Sequence, residues 1–153
     1  PITYPELAKE LGVSVGERAP VSQVRERTLA IRARKGMVLS ESDHDSWSAG
    51  SFFINPSVTP DVAASLPEDA PKWPNADGSV KLSAAWLLER SGIAKGERLG
   101  GAGISTKHVL AITNASGATS SEILDLARRC QMAVENTFGI VLMPEVQLIG
   151  ATL

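Results

Sequence analysis

Ser51 and Glu145 are the residues whose type and setting could do chemistry in this chain. Ser51 lies within Trp47-Ser-Ala-Gly-Ser-Phe-Phe-Ile-Asn-Pro56. Gly50, just before it, lets the backbone come close to another group or take positive φ. Phe52 and Phe53, just after it, can hold the hydroxyl rigidly and keep water away. Asn55 adds donors and an acceptor, and Pro56 stops the element from running on. A hydroxyl in that setting is a nucleophile, a proton donor or only a turn residue, and spacing leaves all three open. Glu145 follows Pro144 between two apolar runs, an awkward place for a charge without a partner. Scattered cations, Lys35 and Lys81 among them, could meet an anionic ligand.

Other chemistries fit less well. Asp43, His44 and Asp45 suggest a metal, but adjacent side chains rarely converge on one ion, and no second histidine cluster completes the set. Gly100-Gly-Ala-Gly103 lacks the Lys-Ser/Thr of a P-loop and the second half of a dinucleotide fingerprint, so it reads as a close-packed turn. Ser51 is not in a G-x-S-x-G elbow, and His44 and His108 offer no evident triad, which disfavours a serine hydrolase.

The chain has 153 residues, enough for one domain with one core. Apolar residues make up 43% and charged residues 21%, an ordinary globular composition. Fifteen basic against seventeen acidic residues give a net charge of −2, which argues against a generic nucleic-acid surface. No apolar run is long enough to span a bilayer, and no signal-peptide pattern opens the chain. A single cysteine, Cys130, excludes an internal disulfide and suits a reducing compartment. The start on Pro1 without methionine reads as a cut from something longer.

The elements that must position Ser51 and Glu145 follow from pattern. Pro5 to Leu11 is a predicted helix ended by Gly12. A second helix opens at Pro20 with Val21, Val24 and Ile31 on one face. Its end, Arg32-Ala-Arg-Lys35, either complements the helix dipole or binds an anion. Residues 56–79 read as irregular structure or a lid-like loop, and Leu82 to Arg90 as a helix with Trp86 in the core. Residues 92–103 read as loop and His108 to Asn114 as a strand. Thr119-Ser-Ser-Glu122 is a capping box opening a long amphipathic helix that Gly139 ends. Ile140 to Met143 and Glu145 to Gly150 read as strands. The expected class is α+β, a single domain with a small, largely antiparallel sheet packed with helices.

These residues also carry a family likeness. The chain resembles the C-terminal substrate-binding domain of UDP-N-acetylenolpyruvoylglucosamine reductase (UDP-N-acetylmuramate dehydrogenase), a flavoenzyme of bacterial peptidoglycan synthesis. The likeness runs in order through Tyr4-Pro-Glu-Leu7, Arg32-Ala-Arg-Lys35, Ala49-Gly-Ser-Phe-Phe-Ile-Asn-Pro56 and Asp77-Gly-Ser-Val-Lys-Leu-Ser-Ala-Ala-Trp-Leu88. It continues through Gly100-Gly-Ala102, Phe138-Gly139 and Pro144-Glu-Val-Gln-Leu-Ile-Gly150. The Gly-Ser-Phe-Phe-x-Asn-Pro segment and the Pro-Glu-Val ending are its specific parts.

The resemblance implies roles. Ser51 would protonate an enolpyruvyl group after hydride arrives from reduced flavin, and Glu145 would help stabilise the enol-like intermediate. Lys35, Asn55 and Lys81 would contact the UDP part of UDP-N-acetylglucosamine enolpyruvate, with Tyr4 and Trp73 covering the nucleotide. Gln147 stands where the family commonly has arginine, Trp73 where it usually has tyrosine, and His108 at a variable polar position. The resemblance places residues 1–153 after two FAD-binding domains of the same bacterial, cytoplasmic polypeptide, which use FAD and NADPH and contribute a further active-site arginine. The alternative is a stand-alone nucleotide-sugar or anion-binding module without redox activity. FAD-domain sequence upstream of Pro1 would separate the two. The isolated chain should purify colourless; stoichiometric bound flavin in its absorption spectrum would overturn the domain assignment.

Overall fold

Two small antiparallel sheets are joined by one extended segment and covered by five helices; the computed structural model describes residues 1–153. Helix α1 (Pro5–Leu11) carries proline in its first turn and ends at Gly12, whose φ of 68° is left-handed. Helix α2 (Val21–Arg34) packs on α1 through Ile31 and is closed by Lys35 and Gly36. Val21, expected on the buried face, is instead 84% exposed. At seven residues against fourteen, α1 is too short to cover the whole of α2.

A single 3-10 turn, His44–Ser46, leads into β1 (Ser48–Ser51). Then come β2 (Ser57–Val58), α3 (Pro60–Ser65), β3 (Lys72–Pro74), β4 (Val80–Leu82) and α4 (Ala84–Arg90). The chain continues through β5 (Arg98–Leu99), β6 (Ala102–Ile104), β7 (Ala111–Asn114) and α5 (Ser120–Phe138). One sheet has the order β1-β7-β6-β5 and the other β2-β4-β3, with every pairing antiparallel. The α+β expectation therefore holds, with the sheet split in two.

Four local expectations change. Residues 56–79 are ordered elements, because β2 and β3 flank β4 and Thr59 caps α3 ahead of Pro60. Leu82 belongs to β4, since Ser83 caps the following helix through Trp86 N and moves its start to Ala84. Residues 98–104 form a hairpin, where composition suggested loop. Residues 140–150 form no ladder beyond one bridge, Phe53 with Pro144. Proline offers no N–H to a ladder, so pairing stops there. Trp86 is half-buried, against Phe138 and beneath the Arg90 guanidinium.

The core lies between α4, α5 and the four-stranded sheet, with Phe53, Leu87, Leu88, Leu126, Val134 and Leu142 fully buried. Cys130 is among them, and burial, with Glu97 nearby, pushes its thiol up to about 12, so it is inert. No helix is long and apolar enough to cross a membrane. The predicted capping box is complete: Thr119 Oγ1 accepts from Glu122 N, and Glu122 Oε2 accepts from Thr119 N. Glu122 Oε1 also accepts from Gly101 N at 3.1 Å, tying the β5–β6 turn to the start of α5. A Cβ on Gly101 would lie 2.7 Å from the Ala118 backbone. Gly101→Ala should therefore cost about 1–3 kcal/mol, as overpacking does. A thermal melt would show a Tm lower by several degrees, and an unchanged Tm would mean that the turn is free to move.

Candidate functional site

The segment after Gly50 runs between two partners, with a bend at Phe52. Ser51 pairs with Ala111, and Phe52 N donates to Leu110 O at 2.7 Å. On its other side Ile54 N donates to Met143 O at 3.0 Å, and Glu145 N donates to Phe52 O at 2.8 Å. Glu145 is thereby held opposite Phe52, one residue from Ser51, although about 94 positions separate them in the chain. The Phe52 and Phe53 rings lock edge-to-face at 5.0 Å and are both buried, which fixes the backbone on which Ser51 sits. Gly50 has φ of 88° and its open side faces the Met37 sulfur, so the positive φ anticipated there is real. The Ser51 side chain is half-buried and makes no hydrogen bond within the chain. Glu145 is exposed and forms no ion pair.

Three more of the expected residues sit further along the same path or beside it. Asn55 uses Oδ1 to accept Ala84 N at 2.9 Å, capping the start of α4, and its amide N–H groups stay free. Two residues on, Ser57 pairs with Lys81, and Lys81 pairs on its other side with Trp73. Directly opposed residues of an antiparallel pair point to the same face, so Ser57, Lys81 and Trp73 form a row across the three-stranded sheet. Leu82 points the other way into the core, leaving Lys81 and Trp73 exposed. Asn75 belongs to the same face: its Nδ2 donates to Ser57 Oγ at 3.1 Å and Ser79 Oγ at 2.9 Å. Gln147 lines a different feature, an apolar groove of about 740 Å³ with Leu39, Trp47, Phe52, Ile112 and Val146.

Lys35 and Tyr4 stand on the α1–α2 arm. Lys35 Nζ contacts Glu6 Oε2 at 2.5 Å, an exposed pair of small energetic weight. Tyr4 is 74% exposed and lines a cleft with Thr28, Ile31 and Arg32, apart from Trp73. Burial lowers the His108 pKa, and the charges of Lys35 and Lys95 lower it further. Leu110 N donates to His108 Nδ1 at 3.3 Å, which leaves the remaining proton on Nε2. The structure thus joins Ser51 with Glu145, and Trp73 with Lys81, as backbone neighbours. None of the five principal clefts includes Ser51 or Glu145.

Sequence reasoning missed the contacts that hold this region together. Asp45 accepts Thr106 N at 2.9 Å and Thr106 Oγ1 through a short hydrogen bond, and Asp43 pairs with Lys107. These aspartates, which suggested a metal site, instead clasp the turn before β7. The partners are 61 and 64 residues away, so no local spacing announces them.

Residues 42–149 match the family described as UDP-N-acetylenolpyruvoylglucosamine reductase, C-terminal domain. The chain belongs to that family. Over its full length it is 53% identical to the UDP-N-acetylenolpyruvoylglucosamine reductase of Cutibacterium acnes, covering 41% of that protein. It is 47% identical to the same reductase of Thermobifida fusca, covering all of this chain and 46% of that one. With the reductase of Mycobacterium tuberculosis H37Rv the values are 50%, 100% and 44%. A crystal structure of the reductase from Thermus caldophilus aligns at 27% identity and a TM-score of 0.46, covering 86% of this chain and 36% of that one. The chain therefore spans less than half the length of the curated relatives it matches.

The clasp gives the chain a testable acid response. Burial raises the Asp45 carboxyl, but hydrogen bonds from Thr106 and Ser105 and the charge of Lys107 outweigh it, so its pKa falls below the ordinary 3.8. A carboxyl held low stabilises the fold above its unfolded pKa, and that contribution is lost as pH falls through the folded value. Asp45→Asn should be less stable than the parent chain at pH 7, and the difference should shrink below about pH 4. Thermal melts at pH 7, 5 and 3 measure this. A difference that stays constant would show that Asp45 does not titrate with folding.

Proposed function

We propose that residues 1–153 are the substrate-binding and proton-donating domain of a reductase that converts UDP-N-acetylglucosamine enolpyruvate to UDP-N-acetylmuramate with NADPH and FAD. The setting would be peptidoglycan synthesis in the bacterial cytoplasm, supporting cell-wall growth, shape and division. Family membership supports the reading, and so does the greater length of the relatives. The observation that carries it is the single continuous segment through Ser51, Asn55 and Ser57. It connects an unpartnered hydroxyl, one residue along the backbone from the position facing Glu145, to a sheet face bearing Lys81 and Trp73. Six residues of extended chain reach at most about 20 Å, a span suited to a ligand with a small reacting group at one end and a nucleoside at the other.

The glycine-rich turn of this chain does not fit a flavin's pyrophosphate. The one glycine-rich turn, Gly100-Gly101, is closed by the Glu122 carboxylate and by the Ala118 backbone, which leaves neither the room nor the charge for a pyrophosphate. FAD, which supplies hydride when bound, would sit on the remainder of the longer polypeptide. This chain's own part is the handling of charge and proton. Hydride addition to the methylene carbon of the enolpyruvyl group leaves a carbanion at the α-carbon, delocalised into the carboxylate. The Ser51 hydroxyl donates its proton to that carbon, and solvent reprotonates the alkoxide. Glu145, one residue away across the bridge, would help stabilise the enol-like form. Gln147 can donate hydrogen bonds where a cation is common in the family.

Lys35 and Lys81 would hold the diphosphate and uridine through charge-assisted contacts, and the free amide of Asn55 would add hydrogen bonds. Trp73 offers a stacking face beside Lys81, and Tyr4 would cover the nucleotide from the arm.

Two measurements on the full-length polypeptide test this reading. Lys81→Ala should raise the KM for the UDP-sugar about 10-fold or more and leave that for NADPH unchanged; the reverse pattern would refute the nucleotide assignment. Ser51→Ala should leave flavin reduction by NADPH near normal and slow re-oxidation by the UDP-sugar at least the roughly 10²-fold expected for a lost general acid. Stopped-flow flavin absorbance reads both steps. Equal slowing of both would make Ser51 structural, and slowing of neither would pass the proton donor's role to Glu145.

A further inference from the structure

We infer that Asp45 is a positioning residue for Lys35: it fastens the end of helix α2 to the turn before β7, the strand that pairs with the one carrying Ser51. The inference rests on Lys35 as a nucleotide contact, proposed above. Helices α1 and α2 pack principally on each other, and the Lys35–Glu6 pair binds the lysine to the arm and not to the body. The arm can therefore bring Lys35 to the site only through the way its own end is attached.

That attachment passes through two glycines. Gly36 is buried at φ of 71°, and a Cβ there would stand 2.9 Å from Asp45 O. The α2 terminus thus lies directly against the Asp45 backbone, at a distance only glycine allows. One residue on, the Met37 sulfur lies over Gly50, next to Ser51. Asp45 in turn is held by its side chain, which takes both donors of Thr106, while Asp43 takes Lys107. Ser105 Oγ accepts Lys107 N at 3.1 Å and His108 N at 3.3 Å, so the grip extends along the turn to His108. Leu110, two residues further, accepts Phe52 N. One aspartate therefore touches the Lys35 segment through its backbone and the β7 approach through its carboxylate. The bonds joining Ser40 to Ser46 and Trp47 close the intervening loop on itself but reach neither Gly36 nor Thr106.

The two sides of this bridge can be broken separately. Asp45→Ala and Thr106→Val remove the carboxylate grip, while Thr106→Ser keeps the hydroxyl. Gly36→Ala forces the α2 end away from Asp45 without changing any charge. All are made in the full-length polypeptide, with steady-state KM for UDP-N-acetylglucosamine enolpyruvate and the rate of flavin reduction by NADPH as readouts. Asp45→Ala, Thr106→Val and Gly36→Ala should each raise that KM several-fold and leave flavin reduction within about twofold of the parent, and Thr106→Ser should restore the parent KM. The double variant Asp45→Ala/Lys35→Ala should be no worse than Lys35→Ala alone, because a residue acting through another adds nothing once that other is gone.

Additive effects of Asp45→Ala and Lys35→Ala would overturn the inference. So would an unchanged KM in both Asp45→Ala and Gly36→Ala, or flavin reduction slowed as much as KM rises. If Lys35→Ala itself leaves KM unchanged, the nucleotide assignment of Lys35 falls and the inference with it. A KM raised by Lys35→Ala but untouched by the others refutes the positioning role alone. Should Asp45→Ala fail to fold, the Thr106 pair and Gly36→Ala decide the matter.

Discussion

Between Ser48 and Val58 the backbone must satisfy its hydrogen bonds with three separate partners, and the rest of the structure is arranged to supply them. The first residues pair with β7, the middle ones with residues 143–145, and the last with β4. A buried N–H or C=O left without a partner costs about as much as a lost hydrogen bond. Each partner is therefore held at a fixed register. Phe52 and Phe53 add the apolar reason for the segment to stay inside, since both rings join the core. Ser51 and the Ser57–Lys81–Trp73 row take their spacing from this one run.

The charges around that run are arranged by the same logic. Lys35 and Arg34 are neutralised on the arm by Glu6 and Glu10, while Asp43 and Asp45 are used up holding the 105–108 turn. Glu145 and the Ser51 hydroxyl remain without partners inside the chain. Lys81 also makes no ion pair and stands beside an aromatic face. The surface pairs elsewhere, such as Arg90 with Asp69, are exposed and add little to stability.

Much of this was readable from local pattern. Proline at the first turn and glycine past the last residue marked α1, and the Thr119–Glu122 box with Gly139 bounded α5 almost to the residue. Cys130 lies on the buried face of the amphipathic α5. The α+β class followed from the mixture of periods. Where the reading slipped, a long-range partner had overruled a local signal. The polar, proline-rich stretch 56–79 looked irregular because its strands are two and three residues long and exist only by flanking β4. The apolar runs around Pro144 looked like strands and are not, because their neighbour offers a single bridge.

The site divides in the same way. By itself the amino-acid sequence determined the chemical inventory: a hydroxyl between glycine and two phenylalanines, a lone carboxylate after proline, and lysines and aromatics in the order of a reductase domain. Those are properties of residue type and near-neighbour spacing, which one dimension preserves. Only the tertiary structure decided that Glu145 lies one residue from Ser51, that Trp73 faces Lys81, and that Asp45 serves as a clasp where a metal had been the tempting alternative. Register between strands and contact across 61 to 94 positions depend on which backbone groups find partners once the core has closed. No stretch of residues specifies that on its own.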